Sequence, residues 1–199
     1  MVGGESLKRN WKSILAAAMA AFLLAGCAPA EPEEASAPKE SSAAPTIFAD
    51  AAADFEQLQF ETEDLEGNAC KSEDLFALHD LTLVNIWATW CGPCLEEMPA
   101  LEAIYQEGEI GVVGIAVESE NQETAELAAE IVAELGVTYP SLRPTQEMIR
   151  DFLADAAYLP TTIFVDSEGK VVGGGMYIGG RTELEWRDTI ESVQKSMES

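Results

Sequence analysis

The sequence predicts an α/β domain, and three observations predict it. Residues 81–88 (LTLVNIWA) and 111–117 (GVVGIAV) are apolar nearly throughout, as central strands covered on both faces are. Stretches with helical spacing of apolar positions follow both, so strands and helices alternate along the chain. Residues 161–166 and 171–177 flank the turn SEGK at 167–170, which reads as a hairpin. With 199 residues, 47% of them hydrophobic, one globular domain with extra segments is expected.

The elements follow in order. Residues 48–55 read as a short helix and 57–62 (QLQFET) as a strand with alternating apolar positions. Glu66, Gly67 and Asn68 mark a turn. A short helix at 72–75 (SEDL) is expected to be capped by Ser72, with its acids at the positive helix end. The buried strand 81–88 leads into a helix from 94 to 108. Strand 111–117 leads into an amphipathic helix, 122–135, closed by Gly136, and a further helix is expected at 145–156. After the hairpin, residues 181–197 supply a last helix, and no internal repeat is visible.

The N-terminus carries a targeting pattern. Lys8, Arg9 and Lys12 precede the apolar run 14–24, which meets Ala25, Gly26 and Cys27; only Glu5 departs from a secretory signal. The run falls short of the about 20 residues a spanning helix needs, although an uncleaved short membrane helix is the alternative reading. Leu24-Ala25-Gly26-Cys27 resembles the lipobox of bacterial lipoproteins. That resemblance implies cleavage after residue 26 and a diacylglyceryl group on Cys27, two chains being enough to anchor stably. Residues 27–46 are rich in Ala, Pro, Glu and Ser and read as a disordered tether with a reach of about 25 Å. Residues 47–199 are then the folded domain, facing the extracytoplasmic side of a cell membrane.

Eleven basic against 36 acidic residues give a net charge of −25, which argues against nucleic acid as a partner. The acidity reads as a solubility device rather than a binding surface and is given no specific role; steering of cationic protein substrates is the alternative.

The chemistry is expected in Trp90-Cys91-Gly92-Pro93-Cys94, where a strand meets a helix. Cysteines three apart at a helix start can bring their Cα atoms within the about 5.5 Å a disulfide prefers. Pro93 suits the first helical turn. Backbone amides at the positive helix end would stabilise a Cys91 thiolate, lowering its pKa below about 8.5 and making it the nucleophile. Cys94, one turn further in and less exposed, would resolve the mixed disulfide.

The segments 84–99 (VNIWATWCGPCLEEMP) and 159–166 (LPTTIFVD) resemble the thioredoxin superfamily and, within it, the TlpA/ResA-like lipoprotein branch. The resemblance covers residues 57 to 197. It implies a thioredoxin fold, a central mixed sheet flanked by helices, with an N-terminal β-hairpin extension and an extra α/β insertion after Val117. Pro99 matches the family's helix-kinking proline, and Pro160 its cis-proline facing the cysteines. Asn85 stands where thioredoxins usually carry a buried Asp, so another base is expected to serve Cys94. Glu97 matches a glutamate of the ResA-like branch and is the candidate; the plain alternative is a solvated helix acid like Glu96. Gly92-Pro93 between the cysteines resembles the reducing type, with a reference potential of about −270 mV against about −120 mV for the oxidant DsbA.

A reductant of protein disulfides follows from the resemblance, monomeric and needing no cofactor or metal beyond the Cys91–Cys94 couple. Implied partners are a membrane thiol transporter of the DsbD type as electron donor and disulfide-containing extracytoplasmic proteins as recipients. Cys70 is left without an evident partner and reads as buried or as a site of intermolecular pairing; His79 reads as solvated. Cys70, His79, Cys91 and Cys94 also make a formal Cys3His zinc set. A thiol peroxidase is a second alternative, although no proline stands at the offset before Cys91 that such a loop requires.

Overall fold

The computed structural model describes residues 55–198. The expected signal at 1–26, Cys27, the tether at 27–46 and the helix at 48–55, apart from Phe55, lie outside the described residues.

The chain runs β1 (Glu61–Glu63), β2 (Ala69–Lys71), α1 (Ser72–Phe76), β3 (Leu81–Trp87), α2 (Gly92–Glu107) and β4 (Gly111–Ala116). It continues through α3 (Gln122–Glu134), β5 (Ser141–Leu142), α4 (Gln146–Asp151), a 3₁₀ turn (Leu153–Asp155), β6 (Thr161–Asp166), β7 (Val171–Ile178) and α5 (Glu183–Met197). Strands β1 and β2 pair antiparallel as the expected hairpin. The other five form a sheet in the order β5-β4-β3-β6-β7. Central β3 is parallel to β4 and antiparallel to β6, so the sheet is mixed. This is a thioredoxin-like α/β fold.

Side-chain alternation on buried β3 builds both halves of the core. Leu81, Leu83 and Trp87 point into a cluster with Met98 and Leu101 of α2 and Trp186 and Val193 of α5. Val84 and Ile86 join the other cluster, with Leu58, Phe60, Phe76, Met148 and Phe152. The α2 residues Cys94, Glu97, Met98, Leu101 and Ile104 form its buried stripe, at the spacing a helix requires.

The structure corrects the element reading in four places. Leu58 and Phe60 alternate inward as expected, but strand pairing in the hairpin begins only at Glu61. The earlier residues are held elsewhere: the Leu58 amide donates to the Gly169 carbonyl at 2.8 Å, and Gln57 bridges Lys170. Ser72 does not cap α1. Its hydroxyl accepts from the Phe60 amide at 3.0 Å while its own amide donates to the Phe60 carbonyl at 3.0 Å, tying the hairpin's entry to α1. The helix expected at 145–156 stops at Asp151, because Phe152 takes φ −154 and turns its ring against Phe55 and Phe60, 5.9 and 6.1 Å away. Strand β5, two residues long, was not expected. Gly136, at φ +68, does close α3 in the left-handed conformation that glycine adopts without cost.

Candidate active site

The carboxyl end of β3 delivers the chain to the start of α2. There the Cys91 amide donates to the Ala88 carbonyl at 3.0 Å, closing the turn. Cys91 is the N-cap of α2, in extended conformation, and its Sγ accepts from the Cys94 amide at 3.3 Å. Pro93 occupies the first turn, where no partner for an amide is needed. Cys91 and Cys94 are joined by a disulfide with Cα atoms 5.3 Å apart. Cys91 is 4% exposed and Cys94 0%, the order of access expected from their positions.

Trp90 stands out from the surface at 66% exposure, and its indole N–H donates to Glu118 Oε2 at 2.7 Å. The Leu159–Pro160 peptide is cis, Pro160 is buried, and its carbonyl accepts from the Gly179 amide at 2.9 Å. Leu159 packs against the core cluster that contains both disulfide-bonded cysteines. Gly92 is exposed and tolerates a larger side chain sterically, whereas a Cβ on Gly180 would lie 3.1 Å from the Pro93 carbonyl oxygen. The loop after β7 therefore lies directly on the first turn of α2.

Glu97 is 2% exposed, unlike its exposed neighbour Glu96. Its Oε1 accepts from Asn85 Nδ2 at 2.8 Å. Its Oε2 accepts from the Arg181 amide at 3.0 Å and from Trp186 Nε1 at 3.2 Å. Burial pushes the Glu97 carboxyl up to about 7, against the opposing pull of these donors. Arg181, 7% exposed, closes the far side: its guanidinium carbon lies 4.9 Å from the Trp186 ring centre and 5.6 Å from that of Tyr177. Asn85 also donates to Thr162 Oγ1 at 3.2 Å. The position that lacks an Asp thus serves as a hydrogen-bond donor that orients Glu97.

Helical spacing could place Glu97 beside Cys94. No sequence signal pointed to Arg181 and Trp186, 84 and 89 residues away, nor to the Trp90–Glu118 pair. Cys70 is half-buried on β2 rather than buried; among the described residues it is the free cysteine, and desolvation is the larger cause pushing its thiol up. His79 is half-buried rather than solvated, before β3 and beside Gly111. The Cys3His set does not assemble. His79 and Cys91 lie at opposite ends of β3, whose seven residues span about 20 Å.

The Redoxin family model matches residues 39–176. The chain belongs to the Redoxin family. Among Redoxin relatives, it is 31% identical over 157 residues to the thiol-disulfide oxidoreductase ResA of Bacillus thuringiensis, covering 74% of this chain and 86% of the relative. It is 30% identical over 152 residues to ResA of Halalkalibacterium halodurans, covering 74% and 82%. In fold it is similar to a thiol:disulfide interchange protein of Chlorobium tepidum, with a TM-score of 0.58, 24% identity, and 71% and 99% coverage of the two chains. A DsbF homologue of Corynebacterium diphtheriae gives a TM-score of 0.55 at 24% identity, covering 68% and 85%. Within the thioredoxin superfamily this Redoxin chain is TlpA/ResA-like, and with its paired cysteines it is a thiol-disulfide oxidoreductase.

Proposed function

We propose that the protein is a lipid-anchored, extracytoplasmic reductant of protein disulfides. The observation that carries the reading is Cys91 at the N-cap of α2, its sulfur accepting the Cys94 amide and bonded to Cys94 behind it. In the reduced protein, the positive end of α2 favours the Cys91 thiolate. That thiolate attacks one sulfur of a substrate disulfide; a mixed disulfide forms and the other substrate sulfur leaves as thiolate. Glu97, poised near neutrality, takes the Cys94 proton, and the Cys94 thiolate then attacks Cys91 Sγ. The second substrate thiol is released and two electrons have moved from the couple to the substrate. Trp90, Gly92, Pro93 and Pro160 support this site by shape, Pro160 by facing an extended substrate backbone.

Resemblance to the ResA-like branch supports a membrane thiol transporter of the DsbD type as electron donor, a monomeric state, and no cofactor beyond the couple. Cys27, behind its lipobox-like sequence, is the proposed lipid attachment. Among the described residues no helix is long and apolar enough to cross a membrane.

Cys94→Ala in cells tests the reductase assignment. Removing the resolving sulfur is expected to leave substrates held on Cys91, released by dithiothreitol and identified by mass spectrometry; an absence of trapped species would overturn it. Cys27→Ser is expected to move the protein from the membrane to the soluble fraction. An unchanged membrane fraction would remove the lipid anchor from the reading.

A further inference from the structure

Trp90 forms one wall of a groove of about 370 Å³, at the small end of the range for ligand pockets. Val117, Ile149, Leu153 and Leu159, with three alanines between 154 and 157, make up the rest of its apolar lining, and the exposed Glu118 and Glu120 stand on its rim. The groove adjoins the chemistry at both walls, since Trp90 precedes Cys91 and Leu159 precedes Pro160.

The rim is built rather than loose. Glu118 takes φ +70, a left-handed conformation that a non-glycine residue adopts only when its surroundings hold it there. Neighbouring contacts hold it there. Ser119 Oγ donates to the Ala116 carbonyl at 2.6 Å, and Asn121 Nδ2 to the Glu118 carbonyl at 3.2 Å. From β5's end Arg143 donates Nε to the Ser119 carbonyl at 3.0 Å and Nη2 to the Glu120 carbonyl at 3.1 Å. The result is a fixed carboxylate gripping Trp90 Nε1 at 2.7 Å. That bond restrains a large, exposed indole at the groove wall, so less rotamer freedom is lost on binding. Only one Glu118 oxygen is used in this way, and the Glu120 carboxylate is exposed. Arg143, the cation behind the turn, is engaged by carbonyls and by Glu63 at 3.7 Å.

We propose that this groove selects the substrate: it takes an extended segment of a disulfide-bonded protein with an aliphatic side chain beside its reactive cysteine and a lysine or arginine next along. The aliphatic group enters between Trp90, Leu153 and Leu159, and the cation meets Glu118 and Glu120. A chain of net charge −25 supplies the same preference at longer range. The inference rests on the reductase reading above.

The test uses the full chain, prereduced, and synthetic peptides whose single cysteine is disulfide-linked to a fluorescent thiol. Flanking residues are Leu and Lys in one peptide, Leu and Glu in a second, and Ser and Lys in a third. The Leu/Lys peptide is expected to show kcat/KM about tenfold above each of the others. Glu120→Lys is expected to abolish or invert the Lys-over-Glu preference. Ala157→Trp, a change at an exposed position on the groove, is expected to abolish the Leu-over-Ser preference. Equal rates for all three peptides, or preferences that survive both variants, would overturn the groove's role. Failure to reduce any peptide would instead overturn the reductase reading, and the inference with it.

Discussion

Glu97 accepts three N–H donors and still ionises with difficulty, because desolvation outweighs them. A carboxyl raised to about 7 in the folded protein, against about 4.5 when unfolded, favours folding most when protonated. Below pH 4.5 both states hold the proton and nothing is lost; between pH 4.5 and about 7 the unfolded chain releases it first, so stability falls as pH rises. The fall is on the order of 3 kcal/mol. Glu97→Gln is expected to abolish that slope, seen as urea midpoints that no longer drop between pH 4.5 and 7.5. It is also expected to remove an inflection near pH 7 from the couple's reduction potential. Asn85 Oδ1, buried without a hydrogen-bond partner among the described residues, can turn to accept from the new amide, so the fold is retained. The sequence placed this carboxyl one turn from Cys94 but not inside the protein. Glu96 and Glu97 look alike in one dimension, and only the return of residues 181 and 186 makes one of them a buried group.

At the scale of the element, α5 reaches into the site through its start. Thr182 caps it with a full capping box: its hydroxyl accepts from the Glu185 amide at 3.4 Å, and the Glu185 carboxylate accepts from the Thr182 amide at 2.9 Å. Thr182 follows Arg181, whose amide holds Glu97, so loosening the cap loosens the carboxyl. Thr182→Ala is expected to cost about 1 kcal/mol, measured by urea denaturation, and to shift the pH dependence of Cys94 alkylation. Elements whose signals are local were legible: β3, β4, α2, α3 and the β6–β7 hairpin all lie within a few residues of their expected bounds. Strand β5 was not, because two residues make no periodic pattern and its pairing with β4 is long-range. The break in α4 was also hidden, since it follows from Phe152 meeting rings about a hundred positions earlier.

For the whole molecule, the balance of 36 acidic against 11 basic residues makes encounter with cationic proteins dependent on ionic strength. The value of kcat/KM for a basic disulfide-bonded protein is expected to fall several-fold between 20 mM and 500 mM salt, in stopped-flow measurements, while that for an acidic one stays level or rises. Charge and composition were fully legible from the sequence. The sheet order came through resemblance, because no rule of spacing distinguishes β5-β4-β3-β6-β7 from other arrangements of the same strands.

The near-complete enclosure of the sulfurs has a consequence for traffic. A bond showing 4% of one cysteine and none of the other is poorly reachable by small thiols diffusing past, which must strike one sulfur in line with the bond. Exchange of this disulfide with free glutathione-like molecules is therefore expected to be slow, as measured by the rate of its reduction in glutathione. Partners whose contours present a sulfur at that single opening, peptides included, are expected to react faster than thiols that make no other contact with the protein.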